Sequence, residues 1–156
     1  MPDEEKDIKI FLFDFEGVLV PKELSDNVSM LEKNCKIVKE FFRELHSKGF
    51  YSGIVTMRND ESLFGQFNEV PDCRIIISSI DKVSPVQKLL NELKLSFDQL
   101  FYIGDDILDI PLLNKAGISA APSIAHKEVK RIVKFVIPYL VINDLFEFIK
   151  KQIIRK

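Results

Sequence analysis

The stretch GDDILD at residues 104–109 begins at the last residue of the predicted strand LFYIG at 100–104, and this pair of segments decides the fold class. A short, almost continuously apolar run is typical of a parallel strand that helices cover on both faces. The pattern recurs near the start of the chain, where IKIFLF at 8–13 is followed by DFEG at 14–17. Because ligands of such sheets bind beyond the carboxyl ends of the strands, we expect a site at that edge.

Strands and amphipathic helices alternate along the rest of the chain, which favours βαβ units. Apolar residues at three- and four-residue spacing from Met30 to Leu45 predict a helix that ends at Lys48-Gly49. A second helix is predicted to begin with Ser84 as N-cap and Pro85 as its first residue. The remaining predicted elements are strands at 51–56, 74–79, 118–121 and 139–142, and helices at 109–115 and 143–156. The predicted fold is a three-layer α/β/α, Rossmann-like sandwich with a mainly parallel sheet.

Length and composition limit the alternatives. The chain has 156 residues, so we expect a single domain over 1–156 without a large cap domain. Lys and Arg number 22 against 24 for Asp and Glu, a balance that gives no reason to expect a nucleic-acid or membrane partner. The start of the chain is polar and no apolar run approaches the ~20 residues of a membrane helix, which predicts a cytoplasmic protein. Cys35 and Cys73 lack metal-site spacing and are expected to be reduced thiols.

Polar side chains follow four of the predicted strands, and a parallel sheet brings them to one edge. They are Asp14, Glu16, Thr56, Lys82, Asp105, Asp106 and Asp109. Two carboxylates ~4 Å apart repel by about 4 kcal/mol at an effective dielectric of 20, so we expect a cation among them. Oxygen ligands without histidine or thiolate favour Mg²⁺. Asp109 taken alone is as well explained as a helix cap, and His46 and His126 are expected to be structural or solvated.

Four segments in order resemble the motifs of the haloacid dehalogenase superfamily. The segments are DFEGVL at 14–19, IVTMR at 54–58, Lys82, and GDDILD at 104–109. The superfamily motifs read roughly DxDG(T/V)L, a strand-end Ser or Thr, a Lys, and GDDxxD. The likeness is greatest to 3-deoxy-D-manno-octulosonate 8-phosphate phosphatases and to the phosphatase-like domain of acylneuraminate cytidylyltransferases, and AAPSIAH at 120–126 also looks like that subfamily.

The resemblance implies a Mg²⁺-dependent phosphatase acting on a small phosphorylated metabolite such as a sugar phosphate. It implies that Asp14 attacks phosphorus to form an aspartyl-phosphate, and that Asp14, Asp105 and the backbone carbonyl of Glu16 hold the ion. Thr56 and Lys82 would bind the phosphoryl group. Asp106 and Asp109 would contact the ion through water or position Lys82. Arg58 would either contact the substrate or form a surface ion pair.

Two departures from the resemblance leave alternatives open. Glu16 stands where the superfamily has the Asp that acts as general acid and base, and a displaced carboxyl of this kind can cost on the order of 10²-fold in rate. The subfamily's hairpin and glycine-rich tail are also missing, so a homo-oligomer is compatible with the sequence but not implied. A catalytically weak or inactive binding domain is the main alternative. A phosphoacceptor receiver domain also clusters such residues, but its acidic pair comes first along the chain and here it comes last.

Overall fold

A six-stranded parallel sheet forms the middle layer of the structure, a computed structural model that describes residues 6–154. The strands are β1 (Ile10–Asp14), β2 (Tyr51–Thr56), β3 (Cys73–Ile77), β4 (Leu100–Ile103), β5 (Ile118–Pro122) and β6 (Phe135–Ile137). Their order across the sheet is β3-β2-β1-β4-β5-β6, and every neighbouring pair is parallel. Residues 1–5 of the polar N-terminal stretch and 155–156 of the predicted last helix lie outside the described residues.

Helices cover both faces of the sheet. They are α1 (Val28–Ser47), α2 (Glu61–Phe64), α3 (Val83–Glu92), α4 (Ile110–Lys115), α5 (Lys127–Ile132) and α6 (Ile142–Gln152). The side chain of Asn27 accepts a hydrogen bond from the Met30 amide at the start of α1, and Gly49 follows its end at φ +88°. That left-handed conformation strongly favours glycine, which explains why the helix ends there. The three-layer α/β/α architecture is therefore confirmed.

Strand β1 joins two hydrophobic cores because its side chains alternate between the faces of the sheet. Phe11 and Phe13 pack with α1 and α6, whereas Ile10 and Leu12 pack with α3, α4 and α5. Ring contacts connect Phe13 to both helices of the first core. Full burial of one such side chain contributes roughly 1.5–3 kcal/mol. The direction of β1, and with it the position of the residue at its end, is fixed from both sides.

The bounds of several predicted elements differ from those in the structure. The third strand is Cys73–Ile77 rather than 74–79, and the last is Phe135–Ile137 rather than 139–142. Pro138 follows β6 and has no N–H to continue the ladder, while the Tyr139 hydroxyl donates to the Val18 carbonyl. Ser84 is not an N-cap, because α3 begins one residue earlier.

The edge formed by the carboxyl ends of the strands is open. β1 lies between β2 and β4, and the chain progresses outward from β1 in both directions, so the strand order reverses there. Such reversal points leave a crevice that commonly binds ligands. No large cap covers this edge in residues 6–154, as predicted. None of the helices in that range is long and apolar enough to cross a membrane.

Both cysteines are free thiols. Burial raises the pKa of Cys35 to about 11 and that of Cys73 to about 12. Neither thiol ionises near neutral pH, and no role in chemistry is assigned to either of them.

Candidate active site

A cleft of about 200 Å³ lies at the carboxyl edge of the sheet, next to the reversal point. Its lining contains seven of the eight predicted site residues together with Lys22, Met57 and Leu108; the seven are Asp14, Glu16, Thr56, Arg58, Lys82, Asp105 and Asp106. The structure therefore brings together the residues that follow β1, β2, β3 and β4. The eighth, Asp109, is fully buried and lies outside the lining, where it contacts the Lys82 ammonium.

Asp14 and Asp105 form the buried floor of this cleft. Asp14 ends β1 and Asp105 follows β4 by two residues, and each residue is less than a tenth exposed. Carboxylate oxygens of Asp14, Asp105 and Asp109 all lie within 4.8 Å of one another. Burial raises the pKa of Asp14 and of Asp105, and the negative charge of Asp109 raises the pKa of Asp14 further. This cluster is costly without an additional cation.

The cluster fits a divalent ion. Oδ1 of Asp105 is buried and has no hydrogen-bond partner among the described residues. An orphaned carboxylate oxygen of this kind is expensive unless something binds it. The neighbouring donors are also carboxylate oxygens, the ligands that Mg²⁺ prefers. The side chains of Glu16 and Asp106 are outside this three-carboxylate cluster, so a contact of either with the ion stays a prediction.

Lys82 is held by buried partners. Its ammonium lies 2.7 Å from Oδ1 of Asp109 and 3.4 Å from Oδ1 of Asp14. Burial acts to lower the pKa of Lys82, but these two carboxylates outweigh it and hold the pKa above its usual value. The Tyr102 hydroxyl donates to the same oxygen of Asp109, and the amides of Asp105 and Asp106 donate to the other. Asp109 thus has both oxygens engaged and serves to position Lys82 and the loop after β4.

Thr56, Arg58 and Glu16 form the opposite wall. The Arg58 amide donates to the Thr56 hydroxyl oxygen, which leaves the hydroxyl proton free to point into the cleft. The Arg58 guanidinium is held by the Ser25 carbonyl and by Asp60. Oε1 of Glu16 lies 3.9 Å from this guanidinium, and the Glu16 side chain is 41% exposed. Arg58 therefore forms internal ion pairs and still borders the cleft.

Two residues at the site were not predicted from the sequence. Lys22 lies in a 3-10 turn (Lys22–Leu24), and its ammonium is 3.1 Å from Oδ2 of Asp105 and 3.4 Å from Oδ2 of Asp106. Partial burial acts to lower the pKa of Lys22, but the two carboxylates outweigh it and raise this pKa. The second residue is Tyr102, whose hydroxyl binds Asp109. The sequence does contain a sign of its role, because this hydroxyl is the one polar side-chain group in the strand LFYI.

Gly17 controls how closely the loop after β1 approaches Asp105. Its φ is +88°, and a Cβ there would lie 2.0 Å from Oδ2 of Asp105. We expect Gly17→Ala to displace that carboxylate and to weaken Mg²⁺ binding by at least about 10-fold, in addition to about 1–2 kcal/mol of backbone strain. Calorimetric titration with Mg²⁺ and thermal unfolding measure the two effects.

Gly49 provides a matched control, because it has the same φ and open space around its missing Cβ. Gly49→Ala is expected to pay only the backbone strain and to bind Mg²⁺ as the unaltered chain does. Equal Mg²⁺ affinity in both variants would mean that Asp105 does not hold the ion.

A family model described as haloacid dehalogenase-like hydrolase matches residues 4–143, nearly the whole chain. The chain belongs to this family. The order of motifs noted in the sequence agrees with this membership. In this haloacid dehalogenase-like hydrolase, the residues that match the motifs are those that meet at the cleft.

Relatives with similar sequences are phosphatases of one type. The chain is 26% identical over 126 residues to 3-deoxy-D-manno-octulosonate 8-phosphate phosphatase of Yersinia pestis, covering 76% of this chain and 65% of that protein. The corresponding protein of Salmonella typhi is 23% identical over 128 residues, with 78% and 65% covered. This chain thus spans about 65% of the length of the curated relatives that it matches.

Solved structures share the fold of this chain. The cobalt-bound form of the Haemophilus influenzae deoxy-D-mannose-octulosonate 8-phosphate phosphatase superposes with a TM-score of 0.77 at 18% identity, covering 96% of this chain and 88% of that one. The Moraxella catarrhalis 3-deoxy-D-manno-octulosonate 8-phosphate phosphatase, in complex with magnesium, phosphate and a sugar-acid molecule, superposes with a TM-score of 0.73 at 19% identity, covering 94% and 88%.

Proposed function

We propose that this chain is a Mg²⁺-dependent phosphatase that hydrolyses a small phosphomonoester through an aspartyl-phosphate on Asp14. The observation that carries the proposal is the buried pair of Asp14 and Asp105. Within that pair, Oδ1 of Asp105 has no hydrogen-bond partner among the described residues. Next to the pair, the buried Lys82 ammonium supplies a positive charge at a fixed position. Such a site suits an anionic ester that must approach an anionic nucleophile.

The substrate class proposed is a phosphorylated metabolite, with sugar phosphates as the first compounds to test. The phosphatases of similar sequence from Yersinia pestis and Salmonella typhi are named for a sugar-acid phosphate, which supports this choice. The cleft is small and open, so it accommodates a phosphoryl group while the rest of the ester extends into solvent.

In the first step, an oxygen of Asp14 attacks phosphorus, and the bond from phosphorus to the ester oxygen breaks. Oδ1 of Asp14 accepts from the Phe15 amide and from Lys82, so Oδ2 is the oxygen proposed to attack phosphorus. The Thr56 hydroxyl and the Lys82 ammonium bind the phosphoryl oxygens as charge spreads over them. A bound Mg²⁺ supplies the positive charge that offsets repulsion between nucleophile and substrate, and Asp14, Asp105 and the Glu16 carbonyl would hold it.

Glu16 is proposed to move the protons of both steps. Its carboxyl donates a proton to the leaving oxygen, and the resulting carboxylate then takes a proton from the water that attacks the aspartyl-phosphate. This second attack breaks the phosphorus bond to Asp14 and restores its carboxylate. The half-exposed side chain beside Arg58 can reach solvent but is not held at one position by a short contact. We therefore expect slow turnover.

A catalytically weak or inactive binding domain is the second candidate. The observation that favours it is the Glu16 carboxyl itself, which is half-exposed, lies 3.9 Å from the Arg58 guanidinium and is not held at one position by a short contact. In this alternative the site would still bind a metal ion and phosphate, without efficient hydrolysis.

Turnover of p-nitrophenyl phosphate with and without Mg²⁺ tests the proposal. We expect Mg²⁺-dependent hydrolysis, and an increase of about 10-fold or more in kcat for Glu16→Asp because the shorter side chain restores the usual position of the carboxyl. Glu23→Asp, an exposed position in the neighbouring turn, is the matched control. If the unaltered chain is inert and Glu16→Asp is active, the result supports the catalytically inactive binding domain. If both are inactive with every divalent ion tested, the proposed phosphatase function is rejected.

A further inference from the structure

Lys22 lines the cleft next to the Asp105 carboxylate. Its ammonium is 3.1 Å from Oδ2 of Asp105, which is buried, and 3.4 Å from Oδ2 of Asp106, which is half-exposed. The lysine side chain itself is 54% exposed and comes from a single 3-10 turn. A positive charge from the chain thus already partly neutralises a carboxylate that the proposed function assigns to Mg²⁺.

Lys22 differs from the other two cations that line the cleft. Lys82 is buried between Asp14 and Asp109, and Arg58 is tied to a carbonyl and a carboxylate. Neither can leave without exposing a buried charge or breaking a local hydrogen bond. Lys22 can withdraw into solvent, because its flexible four-carbon stem is exposed and its ammonium would be hydrated there.

Because like charges repel, an ammonium beside Oδ2 of Asp105 weakens the binding of a divalent cation to the other oxygen, Oδ1. We propose that Lys22 is a built-in competitor of the divalent ion. It neutralises Asp105 and Asp106 while no ion is bound, and its charge opposes the binding of the ion. This inference rests on the proposed function for the presence of the ion. The affinity of the site for Mg²⁺ is therefore lower than its carboxylates alone would give.

The test is a Mg²⁺ titration of Lys22→Met, which keeps the length of the side chain and removes its charge. We expect the dissociation constant for Mg²⁺, measured by isothermal calorimetry, to fall by about 5- to 10-fold, since the ion no longer meets a positive charge beside Asp105. The melting temperature of the ion-free variant should fall, and its rise on addition of Mg²⁺ should exceed that of the unaltered chain. Lys22→Arg keeps the charge and should retain weak binding.

Lys33→Met is the control for net charge, because Lys33 is exposed on α1 and lines a separate cavity. It should leave the Mg²⁺ dissociation constant within about 2-fold of the original, as an exposed charge contributes little. An unchanged or weaker affinity in Lys22→Met overturns the inference. Absence of Mg²⁺ binding in every variant also overturns it, whereas Mg²⁺ binding without phosphatase turnover rejects only the proposed hydrolysis.

Discussion

Asp14→Asn is expected to lower the rate of phosphomonoester hydrolysis by about 10³-fold or more, because the amide cannot act as the nucleophile in the proposed mechanism. The same change should not lower the melting temperature of the ion-free protein. Asp14 is buried beside Asp105 and Asp109, and removing one of three neighbouring negative charges relieves repulsion. Turnover of p-nitrophenyl phosphate and thermal unfolding give the two readouts.

The covalent step has its own readout. After incubation with a labelled phosphoryl donor and an acid quench, the unaltered chain should carry a labelled acyl-phosphate and Asp14→Asn should carry none. Asp98→Asn is the control, because Asp98 is exposed and, among the described residues, its carboxylate pairs with a surface lysine. Hydrolysis that persists in Asp14→Asn would show that another residue attacks phosphorus.

The elements that position the site are predictable because their local patterns and tertiary environments agree. β2 is found at Tyr51–Thr56, as its apolar run and turn boundaries indicate. β6 was predicted wrongly because Tyr139, Leu140 and Val141 form an apolar run that the structure uses outside the sheet. Leu140 is 93% exposed, and Tyr139 instead anchors the loop after β1 through its hydroxyl. An apolar run alone does not identify which of its residues the sheet will bury.

The site shows the same division between local and long-range information. Asp14 and Thr56 end their strands and Asp105 lies just beyond its strand. A parallel sheet is therefore sufficient to predict that these three residues lie close together. Lys22 lies eight residues beyond Asp14 in a turn, and only the path of that turn brings its ammonium to Asp105. Asp109 looks like a helix cap in the sequence, whereas its buried bonds to Lys82 and Tyr102 depend on three separate segments.

The buried ion pair between Lys82 and Asp109 connects the stability of the sheet edge to the chemistry of the cleft. Tyr102 and two backbone amides fix Asp109, and Asp109 fixes the lysine that faces Asp14. A change to one of these groups therefore reaches both the phosphoryl site and the loop after β4. Gly104 fits the same arrangement, because a Cβ there would lie 2.5 Å from the Asp109 carboxyl carbon.

Lys82→Met is expected to be the most disruptive of these substitutions for folding. It keeps the volume of the side chain but leaves Asp14 and Asp109 without their buried cation, a loss that typically costs about 3–5 kcal/mol of unfolding free energy. Hydrolysis should fall by at least about 10²-fold, because the phosphoryl oxygens also lose a charged donor. Urea unfolding followed by circular dichroism measures the stability, and kcat/KM for p-nitrophenyl phosphate measures the chemistry.

Combining Lys82→Met with Asp109→Asn separates the two roles of the lysine. Removing the second charge of the pair should recover part of the lost stability, because an uncompensated buried carboxylate is then gone. Activity should not recover, since no cation remains to bind the phosphoryl group at that position. A double variant that regains activity along with stability would mean that Lys82 only supports the fold, whereas a stable, inactive one assigns it to the reaction itself.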